Sequence, residues 1–272
     1  MRSDRMLREL LEKYRAGGCS LEEAEREIEG LRIETIGDFA RLDLGRRARC
    51  GIPEVVLAEG KGESQLAGIA EGYIATCGRC LITRIDPKQS SAIRERLSGK
   101  GITARYNEAG RVMVLAREGA PQPAPSGGIV GIVTAGTSDI AVAEEARCVA
   151  EEMGCRVLTA YDVGAAGIHR LFPAIREILD AHVFIVAAGR EGTLPAIVAG
   201  LVDRPVIGVP VSTGYGYMGR GRAALASMLQ SCSVLTVVNI DAGFTAGAFA
   251  ARVANMVAGL QQGSIGADGA GL

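Results

Sequence analysis

From residue 129 onward, five short apolar runs alternate with segments of helical periodicity, a rhythm that fits a parallel sheet covered by helices on both faces. The runs are 129–133, 156–159, 183–187, 206–211 and 234–238. Helices are expected at 140–153, 171–179, 193–200, 222–230 and 248–258. Strands buried on both faces are continuously apolar rather than alternating, as these are. The chain therefore reads as α/β, with a C-terminal domain built as a three-layer, Rossmann-like (flavodoxin-like) parallel sheet.

Before it, the stretch EGAPQPAPSGG at 118–128 holds three prolines and three glycines, which disfavour both helix and central strand. It divides the chain into an N-terminal domain (1–118), a linker (119–128), the sheet domain (129–259) and a glycine-rich tail (260–272) expected to fray. Within the first part, 1–31 reads as helical, with Ser20-Leu21-Glu22-Glu23 offering a capping box for a second helix. Residues Phe39 to Arg117 read as a smaller mixed α+β unit, with apolar runs at 54–57, 80–83 and 112–115 and helices at 63–74 and 91–97.

A chain of 272 residues with 48% hydrophobic content can bury a substantial core. Its 30 basic and 31 acidic residues nearly cancel, so neither nucleic acid nor an anionic membrane is the expected partner, and small molecules are. The N-terminus runs directly into a charged amphipathic segment with no apolar signal core and no spanning stretch, which makes the cytoplasm the expected location. Seven cysteines spread over this length are not a disulfide scaffold. Cys77 and Cys80 have redox or zinc spacing, but no second such pair exists, and His169 and His182 are the only histidines. A zinc site or a Ser-His-Asp triad is thus poorly supported, and no metal ligand is assigned.

In open α/β sheets, ligands bind outside the carboxyl ends of the strands, so the loops after the apolar runs are where chemistry is expected. Four are unusual. In Gly136-Thr137-Ser138-Asp139, backbone amides at a helix entrance suit phosphate, with Ser138 and Asp139 placed to address phosphate or ribose; a plain helix N-cap is the alternative. The loop Asp162-Val163-Gly164-Ala165-Ala166-Gly167-Ile168-His169-Arg170 would let a ligand approach the backbone through Gly164 and Gly167 before presenting an imidazole and a guanidinium. Gly189-Arg190-Glu191-Gly192 sets a carboxylate between glycines at a third helix entrance, where a first-turn acid favoured by the helix dipole is the alternative. The fourth, Ser212 to Gly219, matches GxGxxG through Gly214 and Gly216, but it follows the fourth run and not the first, so it is weak support for a dinucleotide fingerprint. Its glycines suit a flap over a nucleotide, with Tyr215 or Tyr217 stacking on a base or ring.

Taken together, these segments resemble the family of purine-pathway aminoimidazole ribonucleotide carboxylases and mutases, through the Gly-Thr-Ser-Asp turn and the loop ending in His-Arg. The similarity is closer to the LarB branch, the pyridinium-3,5-biscarboxylic acid mononucleotide synthases of nickel-pincer cofactor synthesis. That branch is matched by 134–139, Asp162-Val163-Gly164, 167–170, Glu191-Gly192, Ser231-Cys232 and Val237-Val238-Asn239-Ile240-Asp241. In the N-terminal half it is matched by 40–43, 51–55 and Thr83-Arg84.

The resemblance implies carboxylation of the pyridinium ring of nicotinic acid adenine dinucleotide with CO2 (from bicarbonate), together with cleavage of its phosphoanhydride to release AMP. It assigns Cys232 as nucleophile, with Glu191 and His169 as the other catalytic candidates. Asn239 and Asp241 join the loop residues as substrate-binding candidates. No tightly bound cofactor is expected; Mg2+ would assist anhydride cleavage by neutralising phosphate charge. Cys232 precedes the fifth run and so should lie across the sheet from the nucleotide loops, which implies a homo-oligomer with sites shared between subunits. An aminoimidazole ribonucleotide carboxylase or mutase is the enzymatic alternative, and a nucleotide-sensing binding module the alternative of another class.

Overall fold

Ser20 caps the second helix as its sequence predicts. Its hydroxyl accepts the Glu23 N–H at 3.1 Å while the Glu23 carboxylate accepts the Ser20 N–H at 2.9 Å, satisfying two otherwise orphaned donors. The structure, a computed structural model, describes residues 2–36 and 40–268. Phe39, expected to open the mixed unit, and residues 269–272 of the expected tail lie outside the described residues.

The N-terminal half runs α1 (Arg2–Arg15), α2 (Leu21–Gly30), β1 (Ile33–Ile36), β2 (Ala40–Asp43), α3 (Arg46–Cys50), β3 (Val55–Leu57), α4 (Glu63–Cys77), β4 (Arg79–Thr83), α5 (Pro87–Leu97), β5 (Ile102–Asn107) and β6 (Val112–Arg117). Strands β1 and β2 form an antiparallel pair, and the other four form a sheet in the order β3-β4-β6-β5. The apolar runs at 54–57, 80–83 and 112–115 became β3, β4 and β6. Strands β1, β2 and β5 went unread. In β5 half-buried Ile102 and Ala104 alternate with exposed Thr103 and Arg105, so no apolar run marks it.

The C-terminal half runs β7 (Ile129–Thr134), α6 (Ile140–Glu152), β8 (Arg156–Ala160), α7 (Ile168–Glu177), β9 (Val183–Ala188), α8 (Leu194–Ala199), β10 (Val206–Pro210), α9 (Arg222–Leu229), β11 (Thr236–Val237) and α10 (Gly243–Asp268). All five strands are parallel, in the order β11-β10-β9-β7-β8. Counted within the domain this is the 2-1-3-4-5 order of flavodoxin-like sheets read from the other edge. Every residue of central β9 is buried. Phe184, Ile185, Ile132, Ile207 and Leu171 are among the largest fully enclosed side chains, each stabilising the fold by roughly 1.5–3 kcal/mol relative to exposure.

Boundaries moved at several elements, α7 (Ile168–Glu177 against the expected 171–179) among them, and two of the shifts have a clear physical reason. Strand β11 is shorter than the expected 234–238, because it pairs only with β10 and Val234 stands exposed ahead of it. Helix α10 starts before the expected 248 and continues to Asp268, so the 260–268 part of the expected tail is helical. Buried Ala246, Ala250, Ala251, Ala254 and Ala258 line this helix, which packs against α6; alanine is the best helix former and carries it on through glycines that read as breakers.

The chain divides into two compact units that are not contiguous in sequence. One is Met1–Ile82, Lys88–Ala104 and Val114–Ala120; the other is Thr83–Pro87, Arg105–Met113 and Pro121–Leu272. The two short segments belong with the parallel-sheet unit through polar contacts. Arg84 donates to the Asp241 carbonyl at 2.8 Å, Asn107 donates to Glu144 at 2.5 Å, and Arg105 meets Glu152 at 3.3 Å. Among the described residues no helix is long and apolar enough to cross a membrane.

Candidate active site

Four loops converge at the carboxyl ends of β7, β8, β9 and β10 and line a cavity of about 250 Å3. It lies over the β7/β9 pair, where the strand order reverses and an open α/β sheet offers a crevice. Pockets that enclose drug-sized ligands usually run to about 300–1,000 Å3, so a dinucleotide would extend beyond this one.

The first loop contributes Gly136, Ser138 and Asp139 to the lining; Thr137 is exposed beside it. Asp139 is buried, and its carboxylate accepts the Gly136 N–H at 2.8 Å and the Gly189 N–H at 3.1 Å. It therefore ties the first loop to the third. Burial raises its carboxyl above the usual range, against the pull of these two N–H groups.

The second loop lines the cavity with Gly164, Ala165 and Ala166. Asp162 stands back from it, with φ of 57°, its N–H bonded to the Thr134 hydroxyl and its carboxylate 3.1 Å from Arg170. Gly167, His169 and Arg170 are outside the lining, the last two exposed on the first turn of α7.

The third loop supplies Gly189, Arg190 and Glu191. Gly192, buried just behind, holds φ of +65°, and a Cβ there would fall 2.7 Å from the Ala224 Cα, so only glycine fits this turn. That turn sets the exposed Glu191 carboxylate at the cavity rim, 3.9 Å from Nε of Arg190. The fourth loop supplies Thr213, Gly214 and Tyr215, while Gly216 lies outside the lining. Tyr217 points fully into solvent, so Tyr215 is the tyrosine that reaches the cavity.

Asn239 and Asp241 do not line it either. The Asp241 carboxylate accepts the Ser212 N–H at 2.8 Å and so anchors the root of the fourth loop, and the Asn239 side chain accepts the Ile240 N–H at 2.8 Å. Behind Asp241 stand Arg84 and Glu145, 3.9 Å apart. Burial pushes the Glu145 carboxyl up to about 7; Arg84 pulls it down and Asp241 adds to the rise. Sequence reading missed this buried network, because no local pattern links residues 84, 145 and 241.

Cys232 is exposed and precedes β11, which runs parallel to β10. It therefore sits at the amino ends of the strands, across the sheet from the cavity. Ser233 fixes its turn, donating to the Ala196 carbonyl at 2.9 Å. Of the other close pair, Cys77 is exposed and Cys80 buried, its thiol pushed up by burial. Among the described residues no three His, Cys, Asp or Glu side chains converge as a metal cage would require.

Two family profiles cover most of the chain: a LarB/PurE-like N-terminal domain over residues 33–117 and AIR carboxylase over residues 129–267. An uncharacterised protein of Methanocaldococcus jannaschii is 42% identical over 256 residues, 92% of this chain and 98% of its own length. The N5-carboxyaminoimidazole ribonucleotide mutase of the same organism is 33% identical over 130 residues, 46% of this chain and 78% of its own. A probable mutase of the same name from Methanothermobacter thermautotrophicus is 31% identical over 130 residues, 46% of this chain and 37% of its own.

Proposed function

The chain belongs to the AIR carboxylase family, in an arrangement that adds a LarB/PurE-like N-terminal domain, and from that premise we propose that it carboxylates the pyridinium ring of nicotinic acid adenine dinucleotide and hydrolyses the phosphoanhydride. The products are pyridinium-3,5-biscarboxylic acid mononucleotide and AMP. The observation that carries this reading is the exposed thiol of Cys232. A pyridinium ring is electron-poor, and its carbon 5 cannot attack CO2 until a nucleophile has added to the ring; an aminoimidazole is already electron-rich and needs no thiol.

The thiolate of Cys232 adds to carbon 6, giving an enamine-like dihydropyridine that is nucleophilic at carbon 5. Carbon 5 forms a bond to CO2, the carbon 5 proton leaves, and expulsion of the thiolate restores the aromatic ring. Glu191, at the cavity rim, takes that proton. His169 and Arg170, exposed beyond the second loop, reach the parts of the nucleotide that project from the cavity. Water then cleaves the anhydride. Mg2+ would assist that cleavage by neutralising phosphate charge; among the described residues no three His, Cys, Asp or Glu side chains converge as a dedicated metal cage.

Since Cys232 and the cavity lie at opposite ends of one sheet, the thiol that serves a given cavity comes from another subunit, and the active form is a symmetric homo-oligomer. The second reading, an aminoimidazole ribonucleotide carboxylase or mutase, is favoured by the mutase relatives at 31–33% identity. Incubation with bicarbonate and each nucleotide, followed by mass spectrometry, separates the two. Conversion of nicotinic acid adenine dinucleotide supports the first reading; turnover of the aminoimidazole alone sinks it; no turnover of either favours a binding module.

A further inference from the structure

Arg190 went unselected among the sequence candidates, yet it has the most distinctive setting of any side chain at the cavity. Among the described residues lining it, Arg190 carries the sole positive charge, beside the carboxylate groups of Asp139 and Glu191 in the same lining and 3.9 Å from that of Glu191. Its backbone is held in the left-handed region, with φ of 43°, a conformation a branched-out side chain rarely adopts without a reason. Its guanidinium carbon lies 4.5 Å above the centroid of the Tyr215 ring, and Nη1 donates to the Tyr215 hydroxyl. The two loops are pressed together beneath this pair: a Cβ on Gly214 would stand 2.6 Å from the Arg190 nitrogen. Cation and ring are thus fixed to each other from two separate loops.

We infer that Arg190 is the residue by which this cavity selects a ring carrying a carboxylate over the same ring carrying a carboxamide, with Tyr215 as the platform. The inference rests on the reading of the cavity as the substrate site and deepens it. A guanidinium binds a carboxylate through two parallel N–H bonds in one plane, and a carboxylate conjugated to an aromatic ring is coplanar with that ring. A cation lying over the Tyr215 face therefore draws in a flat acid edge-on, at stacking height. A tetrahedral phosphate has no such plane, and the amides of the Gly136–Asp139 turn suit it better. Glu191, adjacent in sequence, would repel the ring's carboxylate were Arg190 not beside it. A carboxamide can accept only through its carbonyl oxygen, and its NH2 group meets only donors, so it gains one neutral bond where the carboxylate gains two charge-assisted ones.

Calorimetric titration with nicotinic acid mononucleotide and nicotinamide mononucleotide tests this without turnover. Wild-type protein should prefer the acid by about tenfold or more, the worth of a charge-assisted pair. Arg190→Met should bring that ratio to within about threefold, Arg190→Lys should keep part of it, and Tyr215→Leu should weaken both ligands alike. Equal weakening of acid and amide in Arg190→Met would mean that Arg190 reads the phosphate and would overturn the proposal, as would a wild-type protein with no preference. If wild type binds neither mononucleotide, the reading of the cavity itself fails along with the inference.

Discussion

At the scale of single residues, a side chain that reacts and one that shapes respond differently to substitution. Cys232→Ser keeps the size but replaces the thiol with a far weaker nucleophile, so carboxylation should vanish while the thermal midpoint and nucleotide affinity stay unchanged; near-wild-type turnover would end the covalent mechanism. Glu191→Gln should cost about 10²–10⁴-fold in kcat, the usual contribution of a positioned acid or base, whereas a change confined to KM would make it a binding residue. Asp139→Asn is a different kind of variant. Its amide nitrogen would confront a loop N–H that the carboxylate now accepts, so stability should fall by about 1–3 kcal/mol and nucleotide affinity should fall with it. Denaturation beside titration calorimetry reads both, and a variant of undiminished stability would show that the tie between the first and third loops is dispensable. The sequence placed Asp139, Gly189, Glu191 and Gly214 correctly in strand-end loops, because the rule of carboxyl ends needs only the strand positions. It could not show that Asp139 bonds Gly189, or that Arg190 folds onto Tyr215, because those pairings come from the packing of loops distant in sequence.

At the scale of elements, the parallel strands were legible because burial on both faces forces continuous apolar runs, and the central β9 is the clearest case. Strand β5 was hidden by its alternation with polar residues, and the extent of α10 by its glycines. Helix α6 carries the least legible feature, the buried Glu145 facing Arg84, with Asp241 and Arg111 as the other charges that bear on it. The folded carboxyl sits near 7 and the unfolded one near its ordinary value of 4.5. A raised pKa of this kind gives stability that is fully present below the unfolded value and is lost as pH rises through the folded one. Relative to Glu145→Gln, wild type should therefore lose about 3 kcal/mol between pH 4.5 and pH 8. Denaturant titrations of both proteins across that range decide it, and a difference that does not vary with pH would mean that Glu145 stays ionised in the fold.

At the scale of the whole molecule, the parallel direction of β11 puts Cys232 and the nucleotide cavity at opposite ends of the same sheet. That placement follows from strand order and direction. The central claim is that one subunit's cysteine serves another's cavity, and the direct measurement is complementation. Inactive Cys232→Ser protein is mixed with inactive Glu191→Gln protein under conditions of subunit exchange, and heteromers are verified by native mass spectrometry. With sites shared between neighbours and random assembly, about a quarter of them join an intact thiol to an intact cavity, so about a quarter of wild-type carboxylation should return. Verified heteromers that remain inactive would contradict the account and return the site to a single chain.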